Sequence, residues 1–277
     1  MKINRIFIVL TTAVVLLAGC DKIASDEYVQ YDGAVISWTE TQGTLDPVQR
    51  AYVEKYTGPR CTNCPSADAT LEQAHAQYGD RLVVVSVNHP TGQGVPFPGD
   101  PDMRTDGGNA WDSYFRINAI PAALLNRNTS TMYTGPMSNI IGDIGTALQA
   151  TPALALQADA SASGNEVHVS VSLQLQRDYN SPLTITAALV EDSLVYRQLL
   201  PDGSLDEQYA HNHMLRKVVT SFWGRDIPSL AASGSVHVGH FSFGAPEDVN
   251  LANSHVVIFV SDKASRRVIN CTSAEID

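Results

Sequence analysis

Basic charge is scarce in this chain. Its 277 residues hold 18 lysines and arginines against 29 aspartates and glutamates, a formal net charge of −11. No basic cluster breaks that excess, and binding phosphates needs basic surface, so no nucleic-acid partner is expected. Cysteine is also scarce, with only Cys20, Cys61, Cys64 and Cys271. That is too few for a small disulfide-held scaffold, and there is no second C-x-x-C to complete a four-cysteine zinc site. Beyond the N-terminus no apolar run is long enough to span a bilayer. Internal repeats and low-complexity tracts are absent, and no cofactor is expected. What is present, at 44% apolar and 17% charged residues, is the composition of a packed globular protein. The length suits a signal, one domain of ordinary size and a second one.

The N-terminus reads as a targeting segment and is kept out of the fold. Lys2 and Arg5 form its charged part, and Ile6 to Ala18 its apolar part. It ends in Leu17-Ala18-Gly19-Cys20, which resembles a bacterial lipobox. The resemblance implies cleavage before Cys20, so that 1–19 is a signal peptide, and a diacylglycerol on the Cys20 thiol that anchors the chain to a membrane. The alternative is a plain secretory signal with an incidental cysteine. Either route leads out of the cytoplasm, where disulfides are permitted. Residues 20–46 read as a tether with an N-terminal strand region. Tyr28 to Trp38 carries β-favouring residues around the Asp32-Gly33 turn, and Thr39 to Pro47 reads as a linker.

Residues 47–150 alternate between strands and helices. A strand over Val48 to Tyr56 ends at Gly58-Pro59, and Cys61-Thr62-Asn63-Cys64 follows directly. Small and apolar residues from Ala67 to Tyr78 recur at helical spacing, and Val83 to Val87 is a β-branched run suited to a central strand. His89 to Asn109 is a Pro- and Gly-rich loop, read either as functional or as a neutral insertion. A short helix at Ala110 to Phe115, a hairpin of Ile120 to Leu125 with Thr129 to Tyr133, and an amphipathic helix over Ser138 to Ala150 complete the region. Strand, C-x-x-C, helix, strand, then a proline leading into a further strand is the order of a thioredoxin-like fold.

Unpaired N–H groups at a helix N-terminus stabilise a thiolate. Cys61, with Arg60 beside it, is therefore placed as an attacking thiol and Cys64 as its resolving partner. Likeness to thioredoxin-like folds implies a cis bond before Pro121, with the backbone of Ile120 pairing to a substrate chain. Glu54 is a candidate buried acid, unless strand alternation turns it to solvent. Three readings of the pair stay open: a redox-active dithiol, a structural disulfide, and a zinc half-site. Arg60 and Thr62-Asn63 depart from the aromatic residue and Gly-Pro of the strongest redox consensus.

After Thr151-Pro152 the periodicity becomes two. Val167 to Leu175 alternates over nine positions, and Leu183 to Val190, Ser235 to Phe243 and Val256 to Ser261 continue in that style. Residues 151–277 are thus expected to form an antiparallel β-sandwich, making the chain α/β followed by all-β. His211 and His213, at i and i+2, are weak candidates for a metal pair, and solvated strand-end histidines are the plainer reading. Cys271 is placed in the last strand as a small hydrophobe.

Tyr56-Thr57-Gly58-Pro59-Arg60-Cys61-Thr62-Asn63-Cys64-Pro65, followed later by Tyr209-Ala210-His211-Asn212-His213-Met214-Leu215-Arg216 and Phe222-Trp223-Gly224, resembles lipoproteins related to outer membrane protein 28. The resemblance implies an outer-membrane lipoprotein, periplasmic or surface-facing, with a thioredoxin-like domain and a β-rich one. It implies no settled activity. Two functions follow as expectations: thiol–disulfide exchange on envelope proteins, or non-enzymatic binding of envelope or extracellular proteins with Cys61–Cys64 as a structural disulfide.

Overall fold

The protein is described by a computed structural model over residues 33–228 and 234–277. The expected signal peptide over 1–19, Cys20 and the start of the Tyr28–Trp38 region lie outside the described residues. In chain order the elements are β1 (Ser37–Gln42), β2 (Ala51–Thr57), α1 (Cys64–Tyr78), β3 (Leu82–Asn88), α2 (Asp106–Phe115), β4 (Ala122–Leu125), β5 (Tyr133–Thr134) and α3 (Ile140–Ala147). A β-rich half follows: β6 (Leu154–Ser163), β7 (Glu166–Leu175), β8 (Leu183–Glu191), β9 (Leu194–Leu199) and β10 (Leu205–His211). Then come β11 (Met214–Val218), β12 (Arg225–Asp226), β13 (Ser235–Gly244), β14 (Ser254–Asp262) and β15 (Val268–Glu275).

The largest sheet runs β15-β14-β8-β11-β3-β2-β4-β5, with β12 added to β8. β2 and β3 are parallel and joined by α1, whereas β4 runs antiparallel to β2, and β5 to β4. Met214 of β11 pairs in parallel with Ser86 of β3, so one sheet passes through strands from both sides of Thr151-Pro152. Every residue of β2 and β3 is buried, which accounts for their near-continuous apolar runs. Ala67, Leu71 and Ala74 of α1 and Ile140 and Ile144 of α3 pack on Val53, Val84 and Leu125.

β1, β13, β7 and β6 form a second, four-stranded antiparallel sheet. Its Leu156, Val169, Val171 and Phe241 share a core with Ile185, Leu189, Val256 and Ile258 of β8 and β14. Two sheets thus pack face to face, the arrangement expected from period-two strands. β1 begins at the end of the expected N-terminal strand region and runs on into the expected linker, pairing with β13 from Ser37↔His240 to Gln42↔Ser235.

The larger sheet curls so that Tyr52 of β2 lies 4.7 Å, ring to ring, from Phe259 of β14. The space between holds Arg127 and Glu54, which are 1% and 0% exposed. Arg127 donates to Glu54 Oε2 from Nε at 2.9 Å and from Nη2 at 2.6 Å. Tyr52 and Tyr56 donate their hydroxyls to the same carboxylate at 2.7 and 2.5 Å. The guanidinium also lies 4.3 Å from the Trp111 ring and 4.6 Å from that of Phe259. Glu54 is therefore neither turned to solvent nor free of partners, but is neutralised on the spot by an arginine in an aromatic box. Burial, then the Glu54 charge, pushes both tyrosine hydroxyls well above their ordinary pKa.

α2 begins four residues before the expected Ala110, at Asp106. Thr105 caps it by accepting the Gly108 N–H at 3.0 Å. A Cβ on Gly107 would come within 2.3 Å of Val218 Cγ2, so the glycines that disguise this helix in the sequence are demanded by packing.

Candidate functional site: a covered cysteine pair

β2 ends at Thr57, and the chain turns through Gly58 to Asn63 before α1 starts at Cys64. Cys61 and Cys64 are joined by a disulfide, with Cα atoms 5.4 Å apart. The Cys61 N–H donates to Gly58 O at 3.1 Å, and the Cys64 N–H to Cys61 O at 3.2 Å. Pro65 occupies the first turn of α1, where its missing N–H costs nothing. Tyr56 pairs with Ala122, which sets the start of β4 at the same end of the sheet. The Ile120–Pro121 bond there is cis. Pro121 is buried and Ile120 half-buried against the apolar core.

The pair is not open to solvent. Cys61 is 1% exposed and Cys64 0%. Two segments cover the turn. The first is the Pro/Gly loop after β3. Arg60 donates its N–H to Gln93 O at 3.0 Å, Nε to Val95 O at 2.9 Å and Nη2 to Pro96 O at 2.9 Å, while its guanidinium lies 4.4 Å from the Phe97 ring. Arg60 thus serves to hold the loop down, with its charge directed at loop carbonyls. A Cβ at Gly58 would stand 2.4 Å from Gln93 O, so only glycine admits this approach. Arg197 secures the loop's far side, with Nε 3.0 Å from both carboxylate oxygens of Asp100.

The second cover is the β9–β10 hairpin, whose strands, among the described residues, pair only with each other. Leu199 donates its N–H to Pro59 O at 2.8 Å, and Gln198 donates Nε2 to Cys61 O at 2.9 Å. Tyr209 donates to Asp68 Oδ2 of α1 at 2.9 Å, and Asp68 also pairs with the buried Lys55. Under the hairpin, the His211 ring stacks flat on Tyr196 at 3.6 Å, and its Nε2 lies 3.3 Å from Tyr196 O. Burial, opposed in part by the Asp68 charge, lowers the His211 pKa from 6.5 to about 4.

His211 and His213 engage different partners. His213, just past the hairpin, has Nδ1 3.2 Å from Asp192 Oδ1. Its φ of 59° turns it out of the strand alternation on which the i, i+2 pairing relied. Cys271 lies in β15 at 0% exposure, and burial pushes its thiol up to about 12. Gln198 and the role of the hairpin as a cover were not marked by the sequence, and Tyr209 was marked only as part of the family-like stretch, with no link to the cysteines. The hairpin strands are short and mix polar with apolar residues without a clean alternation, and their role depends on pairing across more than a hundred residues.

These features define a β-rich protein of mixed and antiparallel sheets, with a buried Cys-x-x-Cys disulfide at the head of a helix. Residues 108–277 match the family model described as outer membrane protein Omp28, and the chain belongs to that family. The family is one of outer membrane proteins. Among solved structures, HBP35 of Porphyromonas gingivalis is similar at 16% identity and a TM-score of 0.65, over 84% of this chain and 77% of that one. A domain of the outer membrane lipoprotein Omp28 from Porphyromonas gingivalis matches at 17% identity and a TM-score of 0.34, over 46% of this chain and 89% of that one. No curated protein matches the chain.

Proposed function

We propose that the chain is a lipid-anchored outer-membrane protein that works by binding, and that its Cys61–Cys64 disulfide is a structural brace. Residues 47–150 are read as a thioredoxin-like module, in agreement with a parallel β2-α1-β3 unit, antiparallel β4 and β5, α1 and α3 on one face of the sheet and α2 on the other. The single observation behind the structural role is the burial of both cysteines beneath the loop and the hairpin. A thiolate attacks through an accessible sulfur, and exchange needs room for a second chain at that sulfur. Here Pro59 O and Cys61 O, the backbone groups flanking the nucleophile position, are already taken by Leu199 and Gln198. The partner is expected among envelope or extracellular proteins.

Exchange behind a movable cover is the second reading, favoured by the fact that the hairpin adds to no other sheet among the described residues. An insulin-reduction assay with dithiothreitol separates the two. A brace leaves the rate at the uncatalysed level, and acceleration abolished by Cys61→Ser establishes exchange instead. The lipid anchor has its own test: Cys20→Ala is expected to release the chain from the membrane fraction, and retention there refutes anchoring through Cys20.

A further inference from the structure

We propose that Asp192, His213 and His255 form a binding site for a divalent transition-metal ion of the zinc type, at the root of the hairpin that covers the disulfide. Met214 of β11 and Ser254 of β14 both pair with Glu191 of β8, one from each side. In this register His213 falls opposite Asp192, while His255 pairs with Val190, two residues before Asp192 and on the same side of the strand. His213 Nδ1 lies 3.2 Å from Asp192 Oδ1, and His255 Nδ1 lies 3.3 Å from Asp192 Oδ2. All three ligand atoms fall within 4.8 Å of one another.

The two separations from the Asp192 carboxylate fit coordination. Two ligand atoms at 2.0–2.1 Å from zinc and at a tetrahedral angle stand roughly 3.3 Å apart. They are long for a charge-assisted hydrogen bond, and elsewhere in this chain His89 Nδ1 approaches Asp112 Oδ2 to 2.7 Å. Two imidazoles and one carboxylate suit zinc or copper far better than calcium or magnesium, which prefer oxygen ligands. The site opens on a cavity of about 390 Å³ that His75 of α1 also lines. The Nδ1 of His75 is buried without a hydrogen-bond partner, and its ring is centred 6.1 Å from that of His213. This is a second observation pointing at the same ligand, since a third imidazole lines the same cavity as the three donors with a nitrogen unspent. The guanidinium of Arg50, the cavity's own cation, donates from Nε to Asp80 O at 3.2 Å.

Asp192 precedes β9 and His213 follows β10, so the two ligands bracket the hairpin, and His255 ties them to β14. A bound ion fastens the base of the cover to the main sheet.

The test is a calorimetric titration of the EDTA-stripped, untagged full-length chain in detergent with zinc chloride. Wild type is compared with His255→Gln, Asp192→Asn and a His213→Asn/His255→Gln double variant. Asparagine is chosen at 213 because it tolerates the positive φ, and at 192 because it still accepts the His213 N–H that Asp192 Oδ1 receives at 2.6 Å. One equivalent of zinc is expected in wild type. Each single variant should weaken binding by at least about tenfold, the lower end of what even an outer-shell partner is worth. Zinc should raise the Tm of wild type but not of the double variant. Should a variant fail to fold, diethyl pyrocarbonate modification of wild type replaces it, with zinc expected to protect His213 and His255 and to leave His168 and His240 reactive. No binding by wild type, unchanged affinity in the folded double variant, or no protection of His213 and His255 overturns the site.

Discussion

Acid should loosen this protein through one histidine. His211 is 6% exposed, stacked on Tyr196 and covered by its own hairpin, and burial takes its pKa from 6.5 to about 4. The folded state holds the neutral ring, whereas the unfolded chain takes up a proton as pH falls below 6.5. The stabilisation is therefore fully present above pH 6.5 and is lost between 6.5 and about 4. A shift of that size corresponds to about 3 kcal/mol in total, of which roughly 2–3 kcal/mol is gone by pH 4.5. The perturbation is His211→Gln, which keeps a polar side chain and removes the titration. Urea unfolding of wild type and variant at pH 7.5 and 4.5 gives four free energies. The fall in stability with pH should be smaller in the variant by about 2 kcal/mol. An equal fall in both proteins refutes the assignment, because the acid sensitivity then lies in other groups.

Three further outcomes follow from the packing. Glu54→Gln leaves Arg127 charged and unneutralised in the aromatic box and should cost about 3–5 kcal/mol in denaturant unfolding. A Glu54→Leu/Arg127→Met double variant should lose far less than Glu54→Gln, and equal losses contradict the pairing. Gly58→Ala forces a methyl against Gln93 O, so it should cost roughly 1–3 kcal/mol and speed proteolysis within the loop that Arg60 holds; unchanged proteolysis contradicts the close approach. The Cys271 thiol, buried and pushed up to about 12, should resist iodoacetamide in the folded protein and react on unfolding, as read by mass spectrometry.

How much of this was legible in the sequence depended on whether a feature was local. Val167 to Leu175 alternates because one face lies on the core and the other does not, so β7 could be read directly. Cys64 at the start of α1, the unbroken burial of β3 and Cys271 in the last strand were legible for similar reasons. β6 was missed because its second half, Ala-Asp-Ala-Ser-Ala-Ser, alternates only between alanine and small polar residues, too weak a hydrophobic contrast to mark a strand. The pairing of Met214 with Ser86 joins residues 128 apart, and no periodicity records such a partner. The site divided along the same line. The cysteines and Pro121 were visible as a motif, but the cover was not, because Gln198 and Leu199 reach the turn from the far end of the chain through hydrogen bonds to backbone. Arg60 was read as a charge for a thiolate, and only the loop's carbonyls reveal what it holds. His255 could not be joined to His213 without the register of β8 between them.

The most direct test of the covered brace is the reduction potential of Cys61–Cys64 in the folded chain, measured by equilibration in glutathione and dithiothreitol buffers with alkylation of free thiols. A disulfide that stays closed below about −300 mV, and opens in glutathione only when the protein is unfolded, is the expected result. A potential between about −270 and −120 mV, with Cys61 alkylated first in the folded protein near neutral pH, would contradict it and put exchange chemistry in its place.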